Sequence, residues 1–265
     1  SCDVCPLDCR VNRHDGELGR CGLGASGRVY KEYLHLGEER ALLPSHAIYT
    51  TGCNFRCAFC SDWTEVTQPQ ARGIEVAPRA LAARIAERRK QGATNVNFVG
   101  GLPDVNVLYI LQTLQHCPSD THVVWNTNLW TTARAIEALT GTVGTWLVDF
   151  KFGNDRCAKK WAGVDGYMAG LTERLSSLVG PANVLVRHLL MPGHLTCCTE
   201  PVIEWLAEHR PDVTLNLMTS YHPYALAGRA GPMGGPTPSE EVARGVARLH
   251  DAALEVMING EGIAP

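Results

Sequence analysis

TTGCNFRCAFCSDW, residues 50–63, brings Cys53, Cys57 and Cys60 together in a C-x3-C-x2-C spacing. A closed tetrahedral zinc site takes four thiolate or imidazole ligands, so three thiols leave it one ligand short. A cubane iron–sulfur cluster held by three thiolates keeps one iron open to an outside ligand. The residues just before, HAIYTTG (46–52), read as a strand. The thiols therefore lie on the loop at that strand's C-terminal end.

Outward from this loop the chain alternates strand and helix. NVNFVGG (95–101), HVVWNTN (122–128), TWLVDFKFG (145–153), NVLVRHLLMPG (183–193) and VTLNLMTS (213–220) read as further strands. Between them lie helical patterns such as APRALAARIAERRKQG (77–92), VNVLYILQTLQ (105–115) and TEPVIEWLAEHR (199–210). A last helix is expected from Thr237, with Thr as cap, Pro in the first turn and Glu three residues on, a capping box. Six β–α alternations with short links imply a parallel sheet with right-handed crossovers. The expected fold is α/β, a partial (β/α)6 TIM-like barrel (45–265) preceded by a Cys-rich N-terminal metal-binding extension (1–44). Gly and Pro in 226–238 suggest a mobile flap.

In parallel barrels the chemistry sits at the C-terminal ends of the strands. Here the strands run into Gly100-Gly101, Asn126-Thr127-Asn128, Asp149-Phe150-Lys151, Arg187-His188 with the following Met191-Pro192-Gly193-His194, and Ser220-Tyr221-His222. Each ends in polar or Gly-containing sequence on one rim. Gly100 and Gly101 open strand carbonyls to a ligand's ammonium, and Arg187 offers a two-pronged fork to a carboxylate.

Composition narrows the class. The 265 residues suffice for one large domain, and a net charge of -3 gives no electrostatic footprint for nucleic acid. Arg88-Arg89-Lys90 reads as a solvated helix face. No apolar stretch reaches the roughly 18–20 residues of a membrane span. The eleven cysteines are an odd number, and seven fall in two tight groups. In a long chain without a secretion signal this favours metal ligation in a reducing cytoplasm over a disulfide scaffold. Cys2, Cys5, Cys9 and Cys21 are four soft ligands in about twenty residues, suited to a closed site holding either zinc or a second iron–sulfur cluster.

TGCNFRCAFCSDW, FVGGLPD, VVWNTN, DFKFGND, VRHLLMPGH and LNLMTSYHP, in this order over about 47–223, resemble the radical S-adenosylmethionine superfamily, in the branch related to pyruvate formate-lyase activating enzyme. The resemblance implies a [4Fe–4S] cluster on Cys53, Cys57 and Cys60, with S-adenosylmethionine chelated at the fourth iron. Reductive cleavage then yields a 5′-deoxyadenosyl radical that abstracts a hydrogen atom from substrate. It further implies adenine against Phe59, cofactor contacts from Asn126, Asn128, Asp149 and Lys151, and an electron donor such as flavodoxin or ferredoxin. The chain departs from relatives in Leu102-Pro103 after the Gly pair, which delays the carboxylate to Asp104, and in Ser61-Asp62 after the third cysteine.

Three readings follow. An activating-enzyme-like oxidoreductase installs a glycyl radical on a partner protein. A small-molecule enzyme, such as a sugar or antibiotic epimerase, needs a thiol hydrogen donor, for which Cys157, Cys197 and Cys198 are candidates because the last two follow the fifth strand. An iron–sulfur electron-transfer or metal-binding module cleaves nothing. No nucleic-acid or membrane partner is expected, and Cys117 is expected inside a helix.

Overall fold

The computed structural model describes residues 2–37, 39–180, 182–229 and 231–262. It divides into two compact units, Ser1–Gly37 with Ala41–Phe55 and Asp62–Trp146, and Glu38–Arg40 with Arg56–Ser61 and Leu147–Pro265.

In the first unit, β1 (Arg28–His35) runs antiparallel to β2 (Ser45–Thr50), with Tyr33 opposite Ala47. A short β3 (Ile74–Glu75) pairs antiparallel with β1, while β4 (Asn95–Val99) lies parallel to β2 and β5 (Val123–Thr127) parallel to β4. The order is β3-β1-β2-β4-β5. The helices are α1 (Trp63–Thr67), α2 (Pro78–Lys90), α3 (Val107–Leu114) and α4 (Ala133–Leu139). Pro78 sits in the first turn of α2, where its missing N–H costs nothing. Thr132 caps α4 by accepting from the Ala135 N–H at 3.3 Å. On β4 and β5 the side chains alternate. Phe98 and Trp125, directly opposite in register, are fully buried and make a tilted ring contact at 6.2 Å. Each such ring stabilises the core by roughly 1.5–3 kcal/mol. Asn97 pairs in register with Ala47 and Val124, so it shares the other face with them.

β6 (Thr145–Asp149) contains the division between the units. The second unit continues with α5 (Asp155–Ala162), α6 (Tyr167–Ser177), β7 (Asn183–Leu189), α7 (Glu200–His209), β8 (Thr214–Met218), α8 (Ser239–His250), β9 (Glu255–Ile258) and β10 (Glu261–Gly262). Its order is β6-β7-β8-β9-β10, parallel from β7 to β9 and antiparallel at β10. Arg187, Asn216 and Met257 are directly opposite one another on neighbouring strands and form one lane.

The six expected strands are present and the class is α/β. Four strands were not expected: β1, inside the N-terminal extension, the two-residue β3 and β10, and β9, which follows α8 after a four-residue link. The capping box at Thr237 does not form. Pro238 occupies the cap position, and the Thr237 hydroxyl donates to the Leu190 carbonyl at 2.7 Å. Cys117 lies beyond the end of α3, its N–H donating to the Leu114 carbonyl at 3.0 Å. Within 226–238, Ala227 and Met233 are fully buried, and the Met233 carbonyl accepts from the Tyr221 hydroxyl at 2.9 Å. The segment is tied down at these points rather than standing open as a flap. Nor is the Arg88-Arg89-Lys90 run merely solvated, because Arg88 grips Glu32 on β1 through Nε at 2.9 Å and Nη2 at 3.0 Å, beside Arg84 and His46. Arg88, Arg84 and His46 hold the Glu32 carboxyl at about 2, against its burial.

Candidate active site

In the first unit, β2 delivers the thiol loop through Thr50, Thr51 and Gly52. The Asn106 side-chain amide donates to Thr50 Oγ1, to the Thr51 carbonyl and to the Leu102 carbonyl at 3.0–3.2 Å, fixing the strand exit. Gly101 has a φ of 65°, and a Cβ there would stand 2.3 Å from the Thr50 carbonyl oxygen. A Cβ on Gly100 would stand 2.2 Å from the Tyr49 ring. Close approach of the chain to itself thus already requires both glycines. The Thr51 hydroxyl, two residues before Cys53, is buried without a hydrogen-bond partner.

Cys53 is buried, and its sulfur accepts from the Phe55 N–H at 3.4 Å. Next to it, Asn54 is clamped by β5 and the turn after it. Its amide donates to the Trp130 carbonyl at 2.7 Å and its oxygen accepts from Asn128 at 3.0 Å. Asn128 also accepts from the Trp130 N–H at 2.9 Å, so both ends of its side chain shape the Cys53 loop. Asn126 is buried at the end of β5. Asp104 turns to β5, accepting from Thr127 Oγ1 at 2.5 Å and from Trp125 Nε1 at 3.3 Å. Burial raises its carboxyl to about 6 against those two bonds.

The N-terminal thiols gather in the same unit. Cys2, Cys5, Cys9 and Cys21 line one cavity with Arg13 and Asn54. Arg13 donates to the Cys21 sulfur at 3.3 Å and, through its other terminal nitrogen, to the Val105 carbonyl at 2.8 Å. Burial raises the Cys5 and Cys21 thiols, while Asn54 and Arg13 respectively oppose the rise. Asn54 therefore touches the N-terminal group and adjoins Cys53 along the chain.

In the second unit, the loop segment Arg56–Ser61 hangs from the end of α5. The Arg56 N–H donates to the Ala162 carbonyl at 3.0 Å and the Ala58 N–H to the Trp161 carbonyl at 2.7 Å. These bonds flank Cys57, and the Cys60 N–H donates to the Cys57 carbonyl at 3.0 Å. Burial raises the Cys57 thiol and the Lys151 charge lowers it, so Lys151 stands ready to favour the thiolate. Phe59 is packed against Phe152 and Tyr221, each at 6.2 Å.

Behind Cys57 lies a charged group. Asp149 accepts from Lys151 Nζ at 2.6 Å and from Arg187 Nε at 2.9 Å. Burial would raise Asp149, but the two cations outweigh it and hold the carboxyl at about 2. Arg187 also stands 4.0 Å from Glu39, which accepts from the Asn216 amide at 2.9 Å. Arg187 is thus engaged by carboxylates of this chain. Sequence reasoning missed Glu39 and Asn216. Asn216 was readable as a polar residue between Leu215 and Leu217. Glu39, outside any strand, gave no signal.

Cys157, Cys197 and His194 also come together, their ligand atoms all within 4.8 Å of one another. Cys198 is fully buried beside them, and burial pushes its thiol well above the usual range. His222 is exposed against Tyr224. No helix among the described residues is long and apolar enough to cross a membrane.

The donor set fits a [4Fe–4S] cluster with an open iron. The short loop offers three soft thiolates and no imidazole, with a cation beside Cys57 and an unsatisfied hydroxyl on Thr51, two residues before Cys53.

Comparison with known proteins agrees with this chemistry. The uncharacterized protein MJ0674 of Methanocaldococcus jannaschii is 38% identical over 229 residues, covering 84% of this chain, which spans 66% of that relative's length. A domain of pyruvate-formate lyase-activating enzyme from Bacteroides vulgatus aligns with a TM-score of 0.51 at 18% identity, over 63% of this chain and 99% of that one. Streptococcus suis SuiB, solved bound to S-adenosylmethionine, aligns at 0.56 and 12% identity, over 78% of this chain and 48% of its own. SuiB bound to the precursor peptide SuiA gives the same TM-score at 11% identity, over 78% and 46%. These likenesses are of fold. The Radical SAM superfamily profile matches residues 47–218, which hold all three loop cysteines, most of β2 and every strand from β3 to β8, and the chain belongs to that superfamily.

Proposed function

We propose that the chain is an activating-enzyme-like radical enzyme, in which Cys53, Cys57 and Cys60 hold a [4Fe–4S] cluster with S-adenosylmethionine at its fourth iron. The observation that carries this reading is the three-thiol loop at the end of β2, inside the matched 47–218. When bound, cluster and S-adenosylmethionine together supply a carbon-centred radical able to take hydrogen from an unactivated C–H bond. The chain's own residues position and insulate. Asn106 and Asn54 fix the loop on the Cys53 side, and the bonds to the end of α5 fix it around Cys57. Lys151 offsets negative charge at Cys57, and Asp149 orients Lys151 through a 2.6 Å ion pair. Gly100, Gly101, Phe59, Asn126, Asn128 and Arg187 are proposed to border S-adenosylmethionine. For Arg187 this requires sharing its guanidinium with Asp149.

The proposed substrate is the backbone of a partner protein, on which a glycyl radical is left, with electrons from a flavodoxin or ferredoxin. Supporting this choice are the fold shared with the activating-enzyme domain and the peptide bound by SuiB. The test is anaerobic reconstitution with reductant and S-adenosylmethionine. 5′-Deoxyadenosine should form, and Cys53→Ala, Cys57→Ala and Cys60→Ala should each abolish it together with about four irons per chain. Turnover surviving in all three variants overturns the proposal.

A further inference from the structure

A second constellation of metal-ligating side chains lies at the C-terminal end of β7. After Met191-Pro192-Gly193 the chain makes a turn of π-helix, Leu195–Thr199, whose extra residue swings Cys197 toward the first turn of α5. There Cys197 Sγ stands 3.9 Å from Cys157 Sγ. Two thiolates on one tetrahedral ion, each at about 2.3 Å, stand about 3.8 Å apart. A disulfide would bring them to about 2.05 Å. The spacing is that of co-ligands.

The surroundings are those of ligands too. His194, at the start of the turn, donates from Nδ1 to the Pro192 carbonyl at 2.8 Å. That tautomer is forced, because Trp161 Nε1, which only donates, meets His194 Nε2 at 2.9 Å. A metal-bound histidine usually gives its other N–H to a carbonyl or carboxylate, and His194 already does so. The ion would displace only the Trp161 N–H. Asn154 donates to Cys157 Sγ at 3.3 Å and to the Cys197 carbonyl at 2.6 Å, while its oxygen accepts from the Cys157 N–H at 2.8 Å. An N–H aimed at sulfur, in the first turn of a helix, favours thiolate over thiol. Gly153 lets the two segments meet, since a Cβ there would stand 2.6 Å from the Cys198 carbonyl oxygen. Cys197 is partly exposed, which leaves a way in.

We propose that Cys157, Cys197 and His194 bind a divalent ion of the zinc type, separate from both the three-thiol loop and the N-terminal cysteines. Three protein ligands leave the fourth position to an outside donor, the arrangement found where zinc acts on a substrate or cofactor group. The buried Cys198 thiol is not a member of the compact group. Metal-bound thiolates carry no S–H bond, so this site withdraws Cys157 and Cys197 from service as hydrogen donors.

The test compares iron-reconstituted wild-type protein with Cys157→Ala, Cys197→Ala, His194→Ala and, as control, Cys198→Ala, each incubated anaerobically with zinc sulfate and desalted. Elemental mass spectrometry should show about one zinc equivalent fewer in the first two variants and weakened retention in the third. The control should keep the wild-type count. In wild-type protein, zinc should also protect Cys197 from alkylation by iodoacetamide, mapped by peptide mass spectrometry, which reads the site without any variant. Equal zinc counts in wild type and both cysteine variants, or Cys197 alkylation indifferent to zinc, overturns the proposal.

Discussion

Asp104 gives the sharpest test of the physical reasoning. Its carboxyl is fully buried and moves from 3.8 to about 6 on folding. A raised acid binds its proton more tightly in the native state, so native stability is highest below the unfolded value and declines as pH rises through the folded one. A shift of about two units at 1.36 kcal/mol each is about 3 kcal/mol in full, of which about 2 kcal/mol falls between pH 4.5 and 7.5. Asp104→Asn keeps an acceptor for Thr127 but turns a donor toward Trp125 Nε1. The variant therefore loses roughly 1–3 kcal/mol at low pH, where the native acid is protonated and bonded. It does not lose the further 2 kcal/mol on going to pH 7.5. Urea denaturation of both proteins across that range should show the stability gap shrinking by about 2 kcal/mol, even reversing sign. The comparison must be a difference, because His188 acts in the opposite sense. Burial holds His188 neutral, near 4, so its contribution is present above 6.5 and lost as pH falls. That term is common to both proteins and cancels. A gap that stays flat with pH would show that Asp104 is not a charged group under strain, and the reasoning would fail.

Other expectations follow from the same geometry. Gly101→Ala places a Cβ 2.3 Å from the Thr50 carbonyl at a φ of 65°, so at least about 2 kcal/mol of stability should be lost, read as a lower thermal midpoint. An unchanged midpoint would mean that the crossing of the two strand ends is not as tight as described. Arg187→Met leaves burial to act on Asp149 with Lys151 alone; its carboxyl, held at about 2, should titrate higher by carbon NMR of the metal-free chain. If the N-terminal thiols hold a cluster, iron should approach about eight per chain and fall to about four in Cys21→Ala. About four irons, with one zinc equivalent lost in Cys21→Ala, would assign them to zinc instead.

Much of the site was legible because its chemistry is local in sequence. Three thiols at fixed spacing, directly after a strand, declare their partners within one loop. The strands showed through as apolar runs ending in polar or Gly-containing rim residues, and six were found. What stayed hidden depends on contacts between distant segments. β1 reads as mixed polar and aromatic sequence, and becomes a strand because β2 offers it an edge and Glu32 collects Arg84, Arg88 and His46. The closeness of Cys157 to Cys197, forty positions apart, depends on a π-helical turn that no propensity announces. Thr237 misled for a related reason, since its hydroxyl found a distant carbonyl before a local N–H.

β1 has a practical consequence for anyone cutting the chain down. It covers the flank of β2 not occupied by β4, six residue pairs deep, from Val29 opposite Thr50 to His35 opposite Ser45. A version starting at residue 45, where the cysteine-rich segment was expected to stop, would lay bare the backbone N–H and C=O groups along that flank. The strand exposed would be the one that delivers Cys53. Open edges of this kind recruit other strands, so the shortened protein is headed for aggregates in which the three-thiol loop is the first part to be buried against a stranger.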